Sequence, residues 1–383
     1  MSLPRVHLVL GTRPEAIKLA PLAVALRNGG IVEPVIVATG QHGVPVDQAL
    51  AAFGLTPDVR LDLARTTGSQ PELVAQVTTQ LDPVLADSAA VVVQGDTTTA
   101  LVGGLVAMWR RIPVVHLEAG LRSGDLSAPF PEEANRRMLS VFADLHLAPT
   151  RRAVEALARE GLDGDRVLLT GNTVVDAVVA TAKAAAGSTP TDPRVGELLR
   201  EVEAGRGRLL LVTAHRRESW GEPLDRVMDA VRQVVDDHPD LLCVVPTHPN
   251  PAVRAQVEAV LAGHPRIHTT GPLAYPELCR VLSLSTLVLT DSGGIQEEAP
   301  SFGVPTVVLR DVTERVEAVE SGWAVLVGTD PESISVAAKR FLDGDFTPPT
   351  RTNPFGDGLA AERGAQAIAW LLDKAERPEP FAP

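Results

Sequence analysis

Cysteine is scarce in this chain. Only Cys243 and Cys279 occur in 383 residues, both in apolar segments without CxxC or metal-ligand spacing. That excludes a disulfide scaffold and a thiolate metal site, and leaves two core thiols of a reducing compartment. Aromatic residues make up 3 % of the chain against 45 % hydrophobic, which points to α/β layers built from Ala, Val and Leu rather than a β-sandwich. Positive charge is in deficit, with a net charge of −13. No basic stripe is therefore available for nucleic acid, although a small anion held by local donors is still permitted. No apolar run reaches spanning length and no signal peptide opens the chain, so a cytoplasmic protein without a membrane partner is expected. The length of 383 residues suits two domains better than one core.

What is present is a repeated rhythm of short apolar strand, polar turn and helix. Residues 6–10, 35–38, 90–93, 113–117, 145–148 and 167–170 read as buried parallel strands. Residues 209–213, 243–246, 287–290, 306–309 and 324–327 repeat the pattern. The fold class expected is α/β, with two doubly wound domains facing each other across a cleft. The first covers 1–170 and regains a C-terminal helix, 359–375, after a Pro-rich crossing at 348–354; the second covers 171–358. The tail after Glu376 is expected to fray.

Chemistry collects at strand ends. Thr290-Asp-Ser-Gly-Gly-Ile-Gln-Glu-Glu-Ala-Pro300 is a strand, a Gly turn and a short helix start, which aims N–H groups at one point. It suits an anion, with Glu298 one turn in to take ribose hydroxyls, but a plain β–α turn gives the same pattern. Gly11-Thr12-Arg13-Pro14-Glu15 and Lys18 place two cations after the first strand, as a diphosphate needs; solvated surface charge is the competing explanation. Asp96 and Glu118 end adjacent β–α units beside glycines, where either alone passes for a helix cap. Glu132 and Glu133 open a helix and can simply complement its dipole. His215 follows a strand beside Arg216 and Arg217, in a loop rather than a core, and a structural histidine is the competing reading.

Three segments carry a resemblance: residues 11–18, the pair 116–122 and 131–136, and residues 290–300, supported by 94–99 and 213–218. Over about 6–370 the chain closely resembles the bacterial non-hydrolysing UDP-N-acetylglucosamine 2-epimerases. The resemblance implies two Rossmann-like domains in a GT-B-like arrangement with an interdomain active site. It further implies a homodimer, and UDP-GlcNAc/UDP-ManNAc interconversion with no cofactor and no metal. Carried over by motif, Asp96, Glu118, Glu132 and His215 would be catalytic. Arg13, Lys18, Arg136, Ser292, Gly293, Gly294, Glu298 and Arg315 would bind substrate, with the uracil near 271–278. Gln41, Arg216 and His248 match positions of an activating second UDP-GlcNAc site. Here Gln41-His42 is followed by Gly43-Val44, and 65–70 lacks a counterpart arginine, which puts activation in question. A hydrolysing relative, a GT-B glycosyltransferase and a non-catalytic UDP-sugar binder are the alternatives.

Overall fold

The computed structural model describes residues 2–216, 220–344, 346–347 and 353–382. Most of the Pro-rich crossing, and Arg217 and Glu218 of the histidine turn, lie outside the described residues. The chain divides into two compact units, 1–177 with 355–383, and 178–354. The split thus falls seven residues beyond the 170/171 boundary read from sequence, part-way along the helix Thr173–Ala185.

The first unit holds seven parallel strands: β1 (Arg5–Leu10), β2 (Glu33–Ala38), β3 (Val59–Arg60), β4 (Ser88–Gln94), β5 (Val114–Leu117), β6 (Leu145–Ala148) and β7 (Val167–Leu169). Their order is β3-β2-β1-β4-β5-β6-β7. Strands buried on both faces need no alternation, and β1, β4 and β5 are accordingly near-continuous runs of Val and Leu. Val9, Val37, Val91 and Val93 pack with Leu101 and Val106 of the helix Thr98–Trp109. The edge strand β3 has two residues, too short to show any period in the sequence.

The second unit holds β8 (Arg208–Thr213), β9 (Leu241–Pro246), β10 (Ile267–Thr270), β11 (Leu287–Thr290), β12 (Thr306–Val308) and β13 (Ala324–Leu326), in the order β10-β9-β8-β11-β12-β13. Its core joins Leu210, Val212, Cys243, Val245 and Leu289 to Val227 and Val231 of the helix Glu222–Asp237. Both sheets are Rossmann-like and doubly wound. Each reverses direction once, between β1 and β4 in the first and between β8 and β11 in the second. Such a switch point opens a crevice beyond the carboxyl ends of the strands.

The last helix, Ala360–Leu371, packs on the helix Arg13–Gly29 of the first unit. The tail beyond it is not frayed. Phe381 is 3 % exposed and its N–H donates to Leu169 O at 2.7 Å. Arg377 lies over the Trp370 ring and Arg363 over that of Phe381. The tail therefore covers the edge of β7, and the burial of one aromatic side chain repays the ordering of a few residues.

Candidate functional site

In the first unit the switch point is occupied by acids, each held by a cation or an amide. After β1 the chain turns through Gly11 and Thr12 into the helix Arg13–Gly29. Only glycine fits at 11, because a Cβ there would lie 2.6 Å from the hydroxyls of Thr39 and Thr99. Gln41 closes the same turn, its Oε1 accepting from Thr99 Oγ1 at 3.0 Å. Arg13 is exposed at the helix start, where its fork can reach an anion. Lys18, one turn further along the helix and half-buried, is ion-paired with Glu118.

Glu118 is 8 % exposed and sits in the left-handed region at φ 64°, a conformation a non-glycine residue adopts at a cost of about 1 kcal/mol or more. Besides Lys18, its carboxylate accepts from Gln94 Nε2 and from Asn172 Nδ2 at 2.9 Å. Asp96 follows Gly95 at the end of β4 and is ion-paired with Arg136. Asn135 Nδ2 donates to Asp96 O at 2.9 Å. Burial pushes the Asp96 carboxyl above its usual range; Arg136 opposes that and the nearby Glu118 charge adds to it. Glu132 opens the helix Glu132–Phe142 and is half-buried. Its neighbour Glu133 is fully buried, accepting from Ser123 N at 2.9 Å and Gly124 N at 3.3 Å with Arg136 Nη1 at 3.4 Å. The structure thus brings Asp96, Glu118, Lys18 and Arg136 together through these contacts.

In the second unit the switch point presents donors. β11 runs into Asp291 and Ser292, and the six-residue helix Gly293–Glu298 begins. Ser292 makes no capping bond to that helix, so its hydroxyl and the first N–H groups share one end. Arg315 packs flat on Gly293, whose Cβ, if present, would stand 3.0 Å from the guanidinium carbon. Glu297 holds Arg315 there, Oε1 to Nε 2.8 Å. Glu298 is 6 % exposed, with the Tyr275 hydroxyl 3.3 Å from its Oε1. A Cβ at Gly294 would stand 3.9 Å from the Ser292 hydroxyl, an ordinary contact.

His215, at the end of β8, donates Nε2–H to Pro246 O at 3.0 Å, which leaves Nδ1 as the nitrogen free for chemistry. Asp291 fixes the loop, its Oδ2 accepting from the N–H groups of His215 and Arg216, both at 2.8 Å. Arg216 Nε also donates to Asp291 O at 3.2 Å. His248 lies with its ring 6.2 Å from that of His215 and against Trp220. Gln41 belongs to the first unit, whereas Arg216 and His248 belong to the second.

Sequence reasoning overlooked the residues that hold these groups: Glu15, Gln94, Asn172, Asp291 and Glu297. Two carry readable signals. Thr12-x-x-Glu15 has capping-box spacing, and Asp291 is a carboxylate ending a wholly apolar strand. Among the described residues no cluster of three His, Cys, Asp or Glu could hold a metal ion, and no helix is long and apolar enough to cross a membrane. A cavity of about 470 Å³ beside Arg310, Val325, Ser333 and Arg340 contains none of the candidate residues.

Residues 24–369 match the sequence profile of the UDP-N-acetylglucosamine 2-epimerase family. The UDP-N-acetylglucosamine 2-epimerase of Bacillus subtilis is 39 % identical, with 98 % of each chain covered. Among solved structures, UDP-GlcNAc 2-epimerase from Neisseria meningitidis bound to UDP-GlcNAc superposes with a TM-score of 0.83 at 35 % identity, covering 96 % of this chain and 100 % of that one. The Methanocaldococcus jannaschii enzyme in complex with UDP-GlcNAc and UDP gives 0.75 at 31 %, covering 97 % and 100 %.

Proposed function

Since the chain belongs to the UDP-N-acetylglucosamine 2-epimerase family, we propose that it interconverts UDP-GlcNAc and UDP-ManNAc without hydrolysis, by elimination and re-addition of UDP. The observation that carries the reading is the pair of acids Asp96 and Glu118, at the ends of neighbouring strands and each held by a cation.

The C2 hydrogen of the sugar is not acidic in the ground state. Breaking the C1–O bond to UDP first gives C1 oxocarbenium character, which acidifies C2 enough for a carboxylate to take its proton. The products are UDP and a 2-acetamidoglucal; returning a proton to the other face of C2 and UDP to C1 completes the inversion. Asp96 suits proton exchange, because burial lifts its pKa toward working pH while Arg136 orients it. Glu118, tied by Lys18, Gln94 and Asn172, is the more firmly fixed acid, and Glu132 is assigned to the sugar. The departing diphosphate is assigned to Arg13, Arg315 and the Ser292-Gly293-Gly294 turn, whose donors face developing negative charge. Glu298 takes the ribose, and His215 serves the bridging oxygen through Nδ1. Gln41, Arg216 and His248 are left for a second nucleotide.

The test is product analysis. UDP-GlcNAc incubated with the protein should yield UDP-ManNAc with both nucleotide sugars intact by NMR. Accumulating UDP and free ManNAc would make the enzyme a hydrolase instead. A cytoplasmic homodimer, consistent with two buried free thiols, would elute at about 2 × 40.5 kDa.

A further inference from the structure

The buried carboxylate of Glu15 has no part in the chemistry above, yet it is 0 % exposed in the middle of the first unit's switch point. A carboxylate in such a place is costly unless its oxygens are fully used. They are. Oε2 accepts from Gly11 N at 3.0 Å and Thr12 N at 2.6 Å, and Oε1 accepts from Thr97 Oγ1 at 2.6 Å. The first two donors belong to the turn after β1, the turn that presents Arg13. The third is the residue directly after Asp96, and its hydroxyl also caps the helix Thr98–Trp109 by accepting from Ala100 N at 3.0 Å. β1 and β4 are neighbouring strands whose paired register ends at Val9 and Val93. Beyond it, Glu15 bonds both turns.

The geometry points to Glu15 as a positioning residue that locks the Arg13 turn to the Asp96 turn through the Thr97 hydroxyl. The proposal rests on the functional reading above in assigning Arg13 to the diphosphate and Asp96 to C2. Its physical core is independent of that reading: removing the Thr97 hydroxyl should loosen backbone groups on the opposite strand's turn. A carboxylate that merely completed a local capping box would need only the Gly11 and Thr12 amides, and Thr97 would be irrelevant to it. The third bond turns a cap into a strut, because it fixes the distance between two loops that carry different parts of one reaction.

Thr97→Val removes the hydroxyl at nearly constant shape, Thr97→Ser keeps it, and Glu15→Gln changes the strut itself. Amide hydrogen exchange at Gly11 and Thr12 gives a readout that needs no substrate. Thr97→Val should speed it about tenfold, and Thr97→Ser should restore the slow rate. With UDP-GlcNAc, Thr97→Val should lower kcat about tenfold with KM changed less than threefold, since the loosened Gly11 and Thr12 amides still keep their own bonds to Glu15 while the Asp96 turn loses its only bond to it. Glu15→Gln should lower kcat and raise KM together. Unchanged exchange at Gly11 and Thr12 in Thr97→Val, or identical kcat in the Val and Ser variants, would overturn the strut. Loss of the cap alone would lower thermal stability and leave both untouched. If the wild-type chain turned over no nucleotide sugar, the functional reading would fall, while the exchange result would still decide the strut.

Discussion

The two units share a topology and differ in what they place at its switch point. In the first, the loops beyond β4 and β5 carry the carboxylates Asp96 and Glu118, ion-paired with Arg136 and Lys18, while the turn beyond β1 carries the exposed Arg13. In the second, the loops beyond β8, β11 and β12 deliver an imidazole, N–H groups and a guanidinium, and the acids Asp291 and Glu297 act as braces behind them. On the proposed reading the acids of the first unit serve C2 and the sugar, and the donors of the second serve most of the diphosphate. The fold supplies the crevice in both; the turn residues decide the chemistry.

The largest expected effect tests that division of labour. Asp96→Asn should reduce kcat by about a thousandfold, within the range for loss of a general acid–base group, while UDP affinity by calorimetry changes less than threefold. Equal losses in both would place Asp96 in nucleotide binding and erase the contrast. Asp176 supplies the control, a buried acid away from the switch point. Its carboxyl, accepting from the Ala361 and Ala360 N–H groups, is pushed from 3.8 to about 6 by burial. Because the folded value is the higher one, the stability it contributes is full below pH ~4 and is lost as pH rises through about 6, by up to ~3 kcal/mol. Asp176→Asn should flatten that part of the Tm–pH curve and leave kcat alone; a large fall in kcat would show that burial-shifted acids in this unit act together.

Gly293→Ala drives a methyl toward the Arg315 guanidinium and should weaken UDP about tenfold, or ~1.4 kcal/mol, with kcat at saturation little changed. The smallest effect is a displacement in pH. Asp96 must be ionised to act as a base, so activity falls as pH drops through its raised pKa. Arg136→Gln removes the cation that opposes the rise and should move the acid limb of kcat further up. A limb that moved down would exclude Asp96 as the group titrating there.

Most of the architecture was legible because most strands are short apolar runs ended by a polar, Gly or Pro turn. Residues 287–290 are an example: Leu287–Thr290 is β11, and the helix Gly293–Glu298 after it passes into a 3-10 turn, Ala299–Phe302, that stops at Gly303. The two-residue β3 and the helix Gly43–Ala51, which opens on Gly-Val-Pro, carry too little periodicity to be read. The folded tail was missed for a different reason. A Pro-rich polar end reads as disordered unless one knows that Phe381 finds a cover. At the candidate site, residues such as Asp96, Glu118 and His215 were noticed because they sit at strand ends, whereas their supports were not. Asn172 meets Glu118 across 54 residues, and nothing local in either stretch encodes that bond. The ion pair of Lys18 with Glu118, 100 residues away, is likewise encoded by nothing local.

The most direct test is solvent exchange at a single carbon. Turnover of UDP-GlcNAc in D2O should leave both recovered nucleotide sugars carrying deuterium at C2, with no build-up of free sugar. Epimerised product that retains its original hydrogen at C2 would contradict the account.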